Sequence, residues 1–200
     1  MDTTSIGRIP ILDIKPSAGS ADLTPKAFVS EVVPFSVTSF REGHDVMGVC
    51  VHLRTPDGKS TRYALNELFP GSDRWGVEVQ VDKSGLWTFC FEAYTDDWAT
   101  WLHNAQIKIP LGIDTELMLA IGSALCERAS TEPSRTAAAR KKLASLAKKL
   151  LDTKKDAQER LGLADSEDVR EILAHAPISS LETYSEEYAL RVERKRAGCA

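Results

Sequence analysis

Histidines, acids and aromatics are the residues of this chain whose types and spacing offer chemistry. The four histidines are His44, His52, His103 and His175. None has a second ligand at metal spacing, such as two histidines one helical turn apart, so no metal site is expected. The run Arg41-Glu42-Gly43-His44-Asp45 holds an acid, a base and a glycine and has the look of an active-site loop. A structural turn accounts for it better: Gly43 supplies an unusual φ, and Glu42 or Asp45 can bond local backbone or pair with Arg41. Asp96 and Asp97 are paired carboxylates, but nothing in the sequence sets them about one sugar ring, as glycoside chemistry requires. There is no Gly-x-Ser-x-Gly elbow, no phosphate-cradling Gly-x-x-x-x-Gly-Lys-Ser/Thr loop and no dinucleotide fingerprint. No catalytic residue is therefore assigned, and no cofactor is expected.

Aromatic side chains point to binding or packing. The block Gly85–His103 holds three of the four tryptophans, and a row of exposed rings on a β-sandwich is a common way to stack against sugars. Trp87 lies in the most apolar run and is read as core. Trp98 and Trp101, three apart and beside Asp96, Asp97 and His103, are read at a strand end. There they would cover a sandwich edge, meet another domain, or bind glycan. The stretch Arg135–Lys155 carries eight Lys or Arg against the single acid Asp152. Lysines opposite a leucine stripe describe a solvated helix face, and no aromatic is interleaved for base stacking, so no nucleic-acid partner is expected.

These residues must be positioned by two kinds of element. Up to about Pro110 the chain reads as short strands: Ile9 to Ile14, Ala27 to Thr38, Val46 to Arg54, Arg74 to Val81 and Trp87 to Tyr94. Pro34 places its strand at an edge or a bulge, and Asp82-Lys83-Ser84-Gly85 reads as the turn of a hairpin. Beyond Pro110 the spacing predicts helices over 114–130, over 136–151 and from a cap at Asp165 or Ser166 to just before Pro177. From Glu187 to Arg194, Tyr188, Leu190 and Val192 alternate with charged residues, as in a strand returning to the sheets. The expected fold is α+β: an immunoglobulin- or fibronectin-like β-sandwich (1–110), an inserted helical bundle (111–178), and a return strand (179–200).

Composition bounds the function classes. The net charge of −4 gives no general attraction to nucleic acid or anionic membrane. No apolar run approaches spanning length, and the N-terminus lacks a secretory signal, so a cytoplasmic location is expected. Cys50, Cys90, Cys126 and Cys199 are far apart; Cys50 and Cys90, in apolar runs, are read as buried thiols.

Several islands resemble, in order, the N-terminal region of bacterial maltosyltransferases of the α-amylase superfamily, which extend α-1,4-glucan from maltose 1-phosphate. They are Glu31-Val32-Val33-Pro34, Phe40-Arg41-Glu42-Gly43-His44-Asp45, Gly85-Leu86-Trp87-Thr88-Phe89, Asp97-Trp98-Ala99-Thr100-Trp101 and Gly112-Ile113-Asp114-Thr115-Glu116-Leu117. The resemblance implies a sandwich with a helical insert, a homodimer, and an amylase-type (β/α) barrel to follow. The run Tyr188–Ala197 resembles the lead-in to that barrel, so the stop at Cys199-Ala200 implies a fragment. The implied parent reaction is retaining maltosyl transfer through a covalent β-maltosyl-enzyme. Its catalytic residues would lie in the barrel, and none is matched in this chain. A glycan-binding module and a free-standing interaction domain are the alternatives from other classes.

Overall fold

The computed structural model describes residues 9–18 and 23–194. The N-terminal residues read for a secretory signal, Cys199, and the end of the run resembling a barrel lead-in lie outside them. The chain forms two compact units. The first takes in the residues up to Gly43, Met47–Tyr94 and the segment from Leu181; the second takes in His44–Val46 and Thr95–Ser180. The fold is α+β, with two sheets and five α-helices among the described residues and no closed barrel.

The first unit contains β1 (Leu12–Lys15), β2 (Lys26–Phe28), β3 (Val32–Thr38), β4 (Met47–Arg54), β5 (Ser60–Ala64), β6 (Asn66–Glu67), β7 (Arg74–Gln80), β8 (Gly85–Thr95), β9 (Glu182–Tyr184) and β10 (Tyr188–Glu193). One sheet has the order β1-β3-β7-β6; the other has the order β2-β10-β8-β4-β5, with β9 also paired to β8. Alternation along the strands gives the two sheets one shared core. Val33, Phe35, Val37 and Val79 of one sheet meet Val49, Val51, Leu53, Trp87, Phe89 and Phe91 of the other. Phe35 and Phe89 make an edge-to-face contact at 5.2 Å between ring centres. The predicted return strand is β10, antiparallel to β8 and parallel to β2.

Three strand expectations are corrected. The run Ala27–Thr38 is two strands, because Ser30 turns the chain with φ 71° and the Glu31 carboxylate accepts the Phe28 N–H at 2.7 Å. Pro34 lies in an interior strand opposite Glu78 of β7. Its missing N–H is tolerated because the pairing of β1 covers only the stretch from Ser36 to Thr38. The turn at 82–85 does not close a hairpin: β7 and β8 lie in different sheets, and the Trp87 indole N–H is held by the Lys83 carbonyl at 2.9 Å.

The second unit contains α1 (Asp97–Lys108), α2 (Thr115–Ser130), α3 (Ala137–Leu150), α4 (Ala157–Ala164) and α5 (Glu167–His175). α2, α3 and α5 match the predicted helices. α1 stands where the sequence reading ended a strand. Asp96 caps it by accepting the Ala99 N–H at 2.8 Å, and Trp98, Trp101 and Ala105 recur at helical spacing on its buried face. A 3₁₀ turn over Ile109–Leu111 ends at Gly112, whose φ of 69° provides the left-handed stop. Asp114 stands at the start of α2, yet its carboxylate pairs with Lys108 at 3.3 Å and makes no side-chain cap. On α3, Leu143, Leu146 and Leu150 are buried, while Lys141, Lys142, Lys148 and Lys149 are exposed, as a solvated face requires.

Two buried arginines hold the helical unit. Arg135 reaches the Ala176 and Pro177 carbonyls at 2.5 and 3.1 Å and Glu132 at 2.6 Å. Arg160 takes both Glu116 oxygens at 2.6 and 3.0 Å and the Leu150 carbonyl at 3.1 Å. α2 approaches α1 closely at Gly122, where an added Cβ would sit 2.1 Å from the Trp101 ring. Gly122→Ala is therefore expected to lower unfolding stability by roughly 1–3 kcal/mol in denaturant titration. Gly162→Ala, with open space around an added Cβ, should raise it by about 0.5–1 kcal/mol through helix propensity. Arg135→Met should cost on the order of 3 kcal/mol by leaving its acceptors without donors; a loss near zero would show that those bonds contribute nothing net.

Candidate functional site

The strand alternation that sends Val49, Val51 and Leu53 inward sends Cys50 and His52 to the opposite face of the second sheet. On β8 the residues opposite the core include Cys90, Glu92 and Tyr94. β5 adds Arg62 from beyond β4, and β9 adds Tyr184 from beside β8. A polar cluster results. The Glu92 carboxylate, only 7% exposed, gathers three donors on one oxygen: His52 Nε2 at 2.6 Å, Cys50 Sγ at 3.0 Å and Arg62 Nε at 3.5 Å. Cys50 Sγ and His52 Nε2 are 3.6 Å apart. Arg62 also lies 5.3 Å from the centre of the Tyr94 ring. That ring occupies the space that a side chain at Gly48 would fill, 2.2 Å from an ideal Cβ.

Electrostatics fix the protonation states. Burial alone would raise the Glu92 pKa, but hydrogen bonds from His52 and Cys50 and the charge of Arg62 hold it down at about 2. Since an ionised carboxylate only accepts, His52 donates through Nε2. Burial, reinforced by the hydrogen bond to Glu92, pushes the Cys50 thiol well above its usual range. The cysteine is thus kept as a thiol despite a neighbouring imidazole, and the Cys-His pair is not poised as a nucleophile. Burial and the Glu92 charge likewise raise the Tyr184 phenol.

The residues singled out in the sequence are dispersed. Trp98 and Trp101 are 5% and 4% exposed and pack on one another within the helical core; the Trp101 indole N–H donates to the Met118 carbonyl at 2.7 Å. Trp101 also lines a cleft of about 500 Å³ in the second unit, with Asp97, Thr100, Asn104 and Lys108. Asp96 caps α1, and Asp97 receives Arg128 at 2.7 Å and Ser180 at 2.9 Å. His44, His103 and His175 are exposed. Gly43 has φ 115°, in keeping with a turn. Cys90, read as buried, is half-exposed on the outer sheet face. A larger depression of about 850 Å³ has four charged lining residues, Asp57, Asp82, Lys83 and Arg194, of which Asp57 and Lys83 pair with each other.

Sequence reasoning missed the convergence of Cys50, His52 and Glu92. The available signal was Cys50-Val51-His52, since two polar ligand-type residues spaced i, i+2 on a strand share a face. The neighbouring strand that supplies Glu92 depends on sheet order.

Comparison with known proteins defines a transferase-associated domain. Residues 7–194 match the family model described as alpha-1,4-glucan:maltose-1-phosphate maltosyltransferase, domain N/S. The chain is 41% identical over 196 residues to alpha-1,4-glucan:maltose-1-phosphate maltosyltransferase 1 of Streptomyces coelicolor, covering 97% of this chain and 29% of that protein. It is 30% identical over 217 residues to the Mycobacterium tuberculosis H37Rv maltosyltransferase, covering 96% of this chain and 30% of that protein. The chain therefore belongs to the alpha-1,4-glucan:maltose-1-phosphate maltosyltransferase family and spans about three tenths of the length of these relatives.

Because the Glu92 pKa is depressed in the folded chain, its ionisation stabilises the fold above the unfolded carboxylate range. That contribution is lost as pH falls from about 4.5 towards 2. Glu92→Gln is expected to lower stability at pH 7 by roughly 1–3 kcal/mol. It should also flatten the pH dependence of unfolding across that acidic window. Urea titrations at pH 7, 4.5 and 3 test both expectations, and an unchanged acid slope in the variant would contradict them.

Proposed function

We propose that this chain is the non-catalytic dimerisation and scaffold region of a maltosyltransferase that moves maltosyl from maltose 1-phosphate to α-1,4-glucan. In this reading the two sheets form an immunoglobulin-like sandwich with the helices as an insert, the parent is a cytoplasmic homodimer, and the reacting residues lie outside this chain. The observation that carries it is the family match over residues 7–194. Two features of the molecule support it. The Cys50–His52 pair is not poised as a nucleophile, because its thiol is hydrogen-bonded to Glu92 and held protonated, and Asp96 and Asp97 are committed to capping and ion pairing.

A second reading, glycan binding, is favoured by the cleft beside Trp101. Its lining of Thr100 and Asn104 offers both donors and acceptors to sugar hydroxyls beside Trp101. Trp98 is the other tryptophan of that reading, and its ring backs Trp101.

Sedimentation velocity of the 200-residue chain across a concentration series, with and without maltoheptaose, separates the readings. The scaffold reading expects a dimer at tens of micromolar whose sedimentation ignores the sugar. A monomer at every concentration overturns its dimerisation half. The glycan reading expects maltoheptaose to perturb tryptophan fluorescence and Asn104→Ala to weaken that response; an unperturbed spectrum removes it.

A further inference from the structure

We propose that Cys50, His52 and Glu92 form a binding site for a single zinc-class divalent cation on the outer face of the second sheet. One thiol, one imidazole and one carboxylate converge from adjacent strands, with their ligand-type atoms 2.6 to 3.6 Å apart. Bond lengths of about 2.0–2.3 Å to such donors imply ligand separations of roughly 3.3–3.6 Å around a tetrahedral ion. The Cys50–His52 separation of 3.6 Å already meets that spacing. Only the Glu92 oxygen must draw back, by roughly half an ångström, to admit an ion at these bond lengths.

The surroundings permit that movement. Arg62 makes the longest of the three contacts to Glu92, and it is independently held by the ring of Tyr94 and by a hydrogen bond to it. Glu92 can therefore turn to a cation without stranding the guanidinium. The Cys50 thiolate and the Glu92 carboxylate supply two negative charges against the dication, and with the guanidinium of Arg62 beside Glu92 the occupied site carries one net positive charge. A donor set of sulfur, nitrogen and oxygen selects a borderline-soft ion and disfavours magnesium and calcium. The side chain of His52 is 35% exposed, so solvent reaches the imidazole side of the cluster, and in this proposal a water from that side completes the coordination. Tyr184, 6.2 Å from the imidazole, flanks this opening.

Binding follows a simple proton balance. The Cys50 S–H bond breaks, the sulfur electron pair binds the cation, and the proton leaves to buffer. The imidazole hydrogen moves from Nε2 to Nδ1 through solvent, freeing Nε2 to coordinate with no net proton change. One proton is released for each cation bound.

The test is a cobalt(II) titration of the reduced 200-residue chain carrying Cys199→Ala, followed by zinc competition. The expected result is a thiolate-to-cobalt charge-transfer band that saturates at one equivalent and is displaced by zinc. The band should vanish in Cys50→Ala and persist in Cys90→Ala and Cys126→Ala. His52→Ala, at a half-exposed position, should weaken binding by at least about tenfold, and it decides the matter if the buried cysteine variant fails to fold. No charge-transfer band, or a band and affinity unchanged by His52→Ala, would overturn the site and leave a closed hydrogen-bonded cluster.

Discussion

A carboxylate buried on the face of a sheet turned away from the hydrophobic core is the constraint around which the first unit is arranged. Glu92 is ionised with little access to water, a state that costs several kcal/mol without partners. Its partners come from neighbouring strands: Cys50 and His52 from β4 and Arg62 from β5, while β9 brings Tyr184 alongside. Each donor is in reach only while β8, β4 and β5 keep their order and register. A one-residue slip would turn Cys50 and His52 into the core and Val49, Val51 and Leu53 out to solvent. Both faces therefore hold the register: the inner one through burial, which supplies most of the stabilisation, and the outer one through hydrogen bonds that require correct distances.

The second unit solves a different problem. Short helices made largely of alanine, leucine and lysine supply modest apolar stripes, and chain ends leave carbonyls to satisfy. Arg135 and Arg160 meet that need. Their guanidinium groups reach the carbonyls of Leu150, Ala176 and Pro177 from inside the unit, and each is neutralised by a glutamate, Glu132 or Glu116. Close packing does the rest where Gly122 lets α2 approach the Trp101 ring. Lysines along α3 remain at the surface, where Lys142 pairs with Asp168.

Family membership and site chemistry are the grounds of the supporting role proposed above. The relatives are named for a transfer reaction between maltose 1-phosphate and α-1,4-glucan, and this chain corresponds to about three tenths of their length. Its most chemically loaded residues are tied up structurally: Asp96 in a helix cap, Asp97 with Arg128 and Ser180, Cys50 as a protonated thiol. A module whose most reactive groups are engaged in internal hydrogen bonds is suited to presenting surfaces, and a cation held by the outer cluster would tighten its register further.

Sequence pattern alone determined the local elements whose periodicity is unbroken. The alternation of β4, β7, β8 and β10, the leucine stripe of α3 and the apolar face of α2 need only near neighbours to declare themselves. Pattern misled where aromatics imitate strands. Asp97–Lys108 is a helix because Asp96 caps it and its tryptophans bury at helical spacing, a preference that tertiary packing decided over local propensity. The split of 26–38 into two strands hung on one residue, Ser30, taking positive φ. The Cys50–His52–Glu92 cluster lay beyond reach for a related reason. A sequence shows that Cys50 and His52 share a strand face. That β8 lies beside β4, while β7 departs to the other sheet, depends on how two sheets share one core, and so only the tertiary structure could place a carboxylate forty residues away against that thiol and imidazole.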